Sequence, residues 1–134
     1  MGAPSKDIKD MLVAESSLGL TFAANLWIGV EPAEVANCVT IFDTSTQGPD
    51  LTLDNSSNAN AYDYTSVQIR VRNTDYFTGW NLIENIKNSL HGQAQKIWGD
   101  YLYSAIYCSS GPAFLDRDEK NRPRFIINFN IQRR

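Results

Sequence analysis

The sequence predicts an α+β fold: a mixed or antiparallel β-sheet of about five strands packed against two α-helices, with one long polar loop. Three observations carry this. Residues 64–90 join a strict two-residue alternation to a helical repeat across a short polar break. Residues 124–132 alternate in the same way, and residues 44–63 are a small, polar stretch with no period. At 134 residues the chain fits one domain, 1–134, long enough to bury a core without disulfide or metal staples.

Each element follows from its residues. Ser5 suits an N-cap and Asp7 the first helical turn, where negative charge favours the helix dipole. Ile8, Met11, Leu12 and Leu18 share a face and Gly19 is a natural stop, so a helix is expected over about 5–18. Alternation of Leu20, Phe22, Ala24, Leu26, Ile28 and Val30 predicts a strand that ends at Glu31-Pro32, because proline cannot donate to the ladder. Trp27 projects to the other side of it, toward either a second covered face or a partner. Residues 32–37 read as a loop and Cys38–Asp43, β-branched and aromatic, as a short strand.

The stretch 44–63 carries the turn signal Gly48-Pro49-Asp50, with Leu51 and Leu53 able to form a small strand. It reads as an arm that orders against a partner or as a plain surface loop, since structureless runs of this length are unusual inside a compact domain. Next, Val67, Ile69 and Val71 alternate with Gln68, Arg70 and Arg72, giving a strand with one apolar and one basic face. Thr74 or Asp75 would cap a helix whose apolar stripe is Tyr76, Trp80, Ile83, Ile86 and Leu90, stopped at Gly92. After a connecting stretch, Tyr101–Ser109 reads as a strand with Tyr101, Tyr103 and Tyr107 on one face. Ser110-Gly111-Pro112 reads as a turn, 116–123 as a charged loop, and Phe125, Ile127, Phe129 and Ile131 as the apolar face of a last strand before Arg133-Arg134.

Little in the chain points to catalysis. The one histidine, His91, closes the second helix, where its charge would suit the helix terminus. Cys38 and Cys108 lack metal or redox spacing and read as two lone buried thiols, with a disulfide between them as the unsupported alternative. Asp116, Asp118 and Glu119 lack the glycine and distal glutamate of a calcium loop. No glycine-rich phosphate loop or nucleophile–base pattern is present, so no enzyme, metal or cofactor is expected. No apolar run has transmembrane length, and the first residues lack a secretory core, so synthesis in the cytoplasm is expected.

The net charge of −3 argues against a dedicated nucleic-acid binder. Its distribution is uneven: residues 1–69 hold two bases and nine acids, a balance of −7, whereas residues 70–134 hold ten and six, a balance of +4. Either the surface is electrically polar, suiting head-to-tail association of copies, or the halves interleave and the asymmetry cancels.

Several short motifs then converge. Arg72 with Asp75-Tyr76 and the helix after it, Ser110-Gly111-Pro112, and Asp118-Glu119 followed by Arg122 and Phe125 resemble the phage minor capsid family grouped with tail-terminator proteins. Trp27-Ile28-Gly29 and Ile41-Phe42-Asp43-Thr44 leading to a Pro-Asp turn are similar too. The resemblance implies a small structural α+β subunit of the virion, with no cofactor. It would close as a homo-oligomeric ring, commonly a hexamer, that caps the tail tube and joins it to the head connector. The implied partners are the tail tube protein, a connector or stopper protein, and DNA passing through the lumen without base readout. Trp27, Arg70, Arg72, Arg133 and Arg134 are then candidate subunit contacts, and Gly48, Pro49, Asp50, Leu51 and Leu53 belong to a loop expected to order on assembly. A head-completion or stopper protein of the neck is the first alternative. A host-cytosolic small-molecule binder or enzyme is the second.

Overall fold

A computed structural model describes residues 2–47 and 62–134, with the side chains of 46 and 47 excepted. The elements run α1 (Pro4–Ala14), a 3-10 turn (Ser16–Leu18), β1 (Leu26–Ile28), β2 (Cys38–Gln47), β3 (Asp63–Arg72), α2 (Tyr76–Leu90), β4 (Lys96–Trp98), β5 (Tyr101–Arg117) and β6 (Pro123–Arg133). The strands form one sheet in the order β1-β2-β3-β6-β5-β4. Only β1 and β2 are parallel; every other pair is antiparallel. This is the α+β fold expected, with six strands rather than about five.

Both helices lie on one face of the sheet. Alternation puts Val39, Ile41, Val67, Ile69, Val71, Phe125, Ile127, Phe129 and Ile131 there, against Ile8, Met11 and Leu12 of α1 and Ile83, Ile86 and Leu90 of α2. Each such buried side chain contributes about 1.5–3 kcal/mol relative to exposure. The register sets the rows: Ile41 faces Ile69, and Ile69 faces Ile127. Among the described residues no helix covers the opposite face.

Helix α2 keeps its expected face, and Asp75 supplies the cap, accepting hydrogen bonds from Thr78 N and Thr78 Oγ1. Those two bonds hold the Asp75 carboxyl below its usual range. Helix α1 begins differently. Ser5 lies inside the helix, and its N–H and hydroxyl donate to Asp43 of β2 at 3.0 and 2.7 Å, so the helix start is satisfied from the sheet. The helix also ends at Ala14, with Glu15 extended before the 3-10 turn that Gly19 closes.

Three stretches depart from the expected elements. Leu20–Val30 is strand only over Leu26–Ile28; Ala23 takes a positive φ of 66° and folds residues 21–25 into a turn. Residues 44–47 and Asp63 belong to β2 and β3, which shortens the expected loop. Strand β5 runs on through Ser110-Gly111-Pro112 and Asp116-Arg117, which therefore form neither a turn nor a loop. Register shifts in β5 flip its parity, so Tyr103 points into the core while Tyr107 faces out beside Asn130. The tyrosines thus do not share a face.

Candidate assembly surfaces

The open face of the sheet is polar and cross-linked by side chains. Arg70 stacks its guanidinium 4.9 Å from the Phe42 ring and donates to Gln68, which donates to Asn128, which donates to Ser110. This chain crosses β3, β6 and β5 in one line. Toward the β3 start lies a groove of about 340 Å³ whose lining includes Ser45, Tyr64, Ser66, Tyr107, Asn130 and Gln132. Its lining is mostly amide, hydroxyl and aromatic, with Ile131 beside them, a surface suited to wet contact.

At one end of this face two loops fold over the sheet and bury Arg72, which is 3% exposed. Its guanidinium meets Glu31 at 3.1 Å and the carbonyls of Pro32 and Val35. Arg124 bridges Glu31 and Asp116, and Arg122 holds Asp118 while donating to the Ala33 carbonyl. Hydrogen bonding from Arg124 holds the Asp116 carboxyl low. Asp118 also lies low: burial pushes it up, but donors from Arg122 and Lys120 outweigh that. Burial pushes the Cys38 thiol up, against the opposing pull of Arg72.

The other end buries a second arginine. Arg133 is 1% exposed, continues the apolar row of β6, and lies 3.9 Å from the Tyr101 ring. It faces Asp63 at 3.4 Å and Asp7 at 3.9 Å, and donates to the Tyr103 hydroxyl and the Gly2 carbonyl. Tyr103 in turn donates to Asp7. Burial, then the Asp7 hydrogen bond, raises the Tyr103 pKa well above the ordinary phenol value.

The expected contact residues therefore divide. Arg72 and Arg133 work inside the subunit. Arg70 is half-buried on the open face, Trp27 is half-buried on β1, and Arg134 is exposed over the Tyr62 ring. Gly48, Pro49, Asp50, Leu51 and Leu53 lie outside the described residues. The charge halves of the chain also meet: Glu31, Asp7 and Asp63 of the acidic half pair with Arg72, Arg124 and Arg133 of the basic half.

Sequence reasoning missed two features. An aromatic patch joins Tyr76, Phe77 and Phe114, with Phe77 73% exposed. Its signal was a second aromatic beside Tyr76, off the helix stripe. The other is β4, whose Ile97 is 77% exposed. Among the described residues no group of His, Cys, Asp and Glu is placed to hold a metal ion, both cysteines are free, and no helix is long and apolar enough to cross a membrane.

Among the described residues, then, one face of the sheet is backed by helices, the other is polar, and an aromatic patch is exposed. The model of the bacteriophage tail terminator protein family matches residues 6–134, and the chain belongs to that family. It is accordingly a structural component of a phage virion, in the tail. Among curated proteins none matches. Among solved structures, a chain of the "Virion of native gene transfer agent (GTA) particle" is similar at a TM-score of 0.67 and 14% identity, over 98% of this chain and 94% of that one. At that identity the likeness is one of fold.

Proposed function

We propose that the chain closes as a hexameric ring that caps the tail tube and joins it to the head connector, and that the polar sheet face lines the lumen through which DNA passes. The family match over residues 6–134 carries the reading. The open face supports it: its amides and hydroxyls are bonded to one another, and Arg124 is neutralised by carboxylates. Apart from Arg70, which stacks on Phe42 and donates to Gln68, such a surface would offer DNA neither a basic track nor base readout. The role is structural and involves no cofactor.

Trp27, Arg70 and Arg134 remain the contact candidates at the surface, and the loop carrying Gly48, Pro49, Asp50, Leu51 and Leu53 is proposed to order when the ring forms. Arg70→Glu with Arg134→Glu should leave the subunit folded and weaken assembly, measured by sedimentation; full assembly by the double variant would remove both from the contact. Fractionation of a lysate tests the place in the particle. The chain should travel with tails lacking heads. Recovery on filled heads without tails would favour the neck stopper reading instead.

A further inference from the structure

One apolar row crosses the whole sheet on its helix side. The register runs Leu26, Val39, Val71, Phe125, Phe114, each opposite the next on the neighbouring strand. A single bridge outside β1 adds Phe22 opposite Leu26. The four inner residues are fully buried, whereas Phe22 and Phe114, at the two ends, are 47% and 43% exposed. β4 lies beside Tyr101–Tyr103, at the other end of β5, and does not reach Phe114.

Each end of the row is widened by neighbours. Phe114 lies 5.8 Å from Tyr76, and Tyr76 lies 5.5 Å from Phe77 at the start of α2. Phe77 is the most exposed of the three rings. At the other end the Lys9 ammonium of α1 sits 5.0 Å from the Phe22 ring, which keeps that ring on the helix side. Val13, one turn on from Lys9 along the same side of α1, is also exposed. Single exposed apolar residues need no explanation, but grouped ones mark contacts.

The two ends therefore lie on the same side of the sheet and at the same height along the strands, at opposite edges. Copies set side by side would bring them together without any shift along the strands. That is what a closed ring needs: one patch meets a different patch, and the contact has no rise. The ends are also unlike. Two Phe22 ends would set Lys9 against Lys9, whereas the faces of aromatic rings attract an ammonium.

From this, and resting on the ring reading above, we infer that the Phe22 end of one copy docks against the Tyr76–Phe77–Phe114 end of the next. The occupant of each end is a second copy of this chain. Val13 and Phe22 then pack on the rings of the neighbour, with the Lys9 ammonium beside them. A row that is buried at its centre and bare at both ends becomes continuous from copy to copy.

Photo-crosslinking tests this on rings formed by the purified chain or recovered on tails, with isotopically light and heavy copies mixed. Carrying p-benzoylphenylalanine in place of Phe22, the chain should cross-link to peptide 73–87 or 97–117 of another copy, giving light–heavy pairs. Cross-links to the Phe22 end of another copy, or to a tube or connector protein, would overturn the contact. Rings without any cross-link from position 22 would overturn it too. A second arm uses Phe77→Asp, whose charge suits the first turn of α2. Its subunit should keep the wild-type circular dichroism and melting temperature, and its ring contact should weaken about tenfold. Undiminished assembly of that variant would count against the docking. All these failures leave the ring standing. A chain present on tails only as separated copies would overturn the ring reading together with the contact.

Discussion

Arg133 shows how much one residue can hold. Its guanidinium ties the C-terminal strand to β3 through Asp63 and to the chain start through Gly2 and the Tyr103–Asp7 pair. Arg133→Met would leave two buried carboxylates without their cation, so unfolding in urea should show a loss of about 3–5 kcal/mol. An unchanged midpoint would contradict the network. The burial of Arg133 had a signal in the sequence: it continues the odd-numbered apolar row Phe125, Ile127, Phe129, Ile131, just as Asp63 continues Val67 and Thr65. A charge in an apolar row announces a buried pair. Arg72 had no such signal, because it sits in the polar row and is buried by loops whose partners, Glu31 and Asp118, lie 41 and 46 positions away. Cys38 follows from that burial. Its raised pKa keeps it a thiol, so alkylation at neutral pH should reach it only when the chain unfolds.

At the scale of elements, β3, α2 and β6 were legible because long segments repeat their period. The apolar stripe of α2 is buried at Ile83, Ile86 and Leu90 and opens toward Tyr76 at its start, and the missing tooth in it is Gly79. A Cβ at Gly79 would meet the Phe125 ring at 2.7 Å and Asn73 Cβ at 3.1 Å, so α2 approaches β6 closely there. Gly79→Ala should therefore destabilise by about 1–3 kcal/mol despite alanine's helix preference, measured by denaturant melts. A stabilised variant would show that the contact can open. β4 was not legible, since three residues carry no period. The far half of β5 misled through its composition. Ser110-Gly111-Pro112 marks a register shift inside the strand, where Gly111 takes a φ of 94° and a Cβ would meet Ile126 O at 2.9 Å. Local turn chemistry served a bulge because β6 was available as a partner.

At the scale of the whole molecule, charge that is uneven along the chain becomes in part internal. The acidic and basic halves meet in two clusters at opposite ends of the sheet, where Asp7, Glu31 and Asp63 pair with Arg72, Arg124 and Arg133, so the halves interleave at these points. This sets the pH response. Asp75, Asp116 and Asp118 all have folded pKa values below the unfolded carboxylate value of about 3.9. Their contribution is complete above that value and is lost as pH falls through the lowered folded values. Stability should therefore hold from neutral pH to about 5 and decline below about 4, and Arg124→Gln should make the acid decline shallower by releasing Asp116. Thermal melts across pH check this; an unaltered acid limb in the variant would remove Asp116–Arg124 from the account.

No catalytic constellation marks the use of the fold; the sequence disclosed it only through short motifs that resemble the tail-terminator family, the family whose model matches residues 6–134. On the proposed reading, use lies in surfaces that become complete only between copies. Electron microscopy of isolated tails, averaged at the tube end that meets the head, tests this most directly. The account predicts a sixfold ring of this chain with its sheets toward the lumen and its helices outward. A tube end without that ring, or a ring with helices lining the channel, would contradict it.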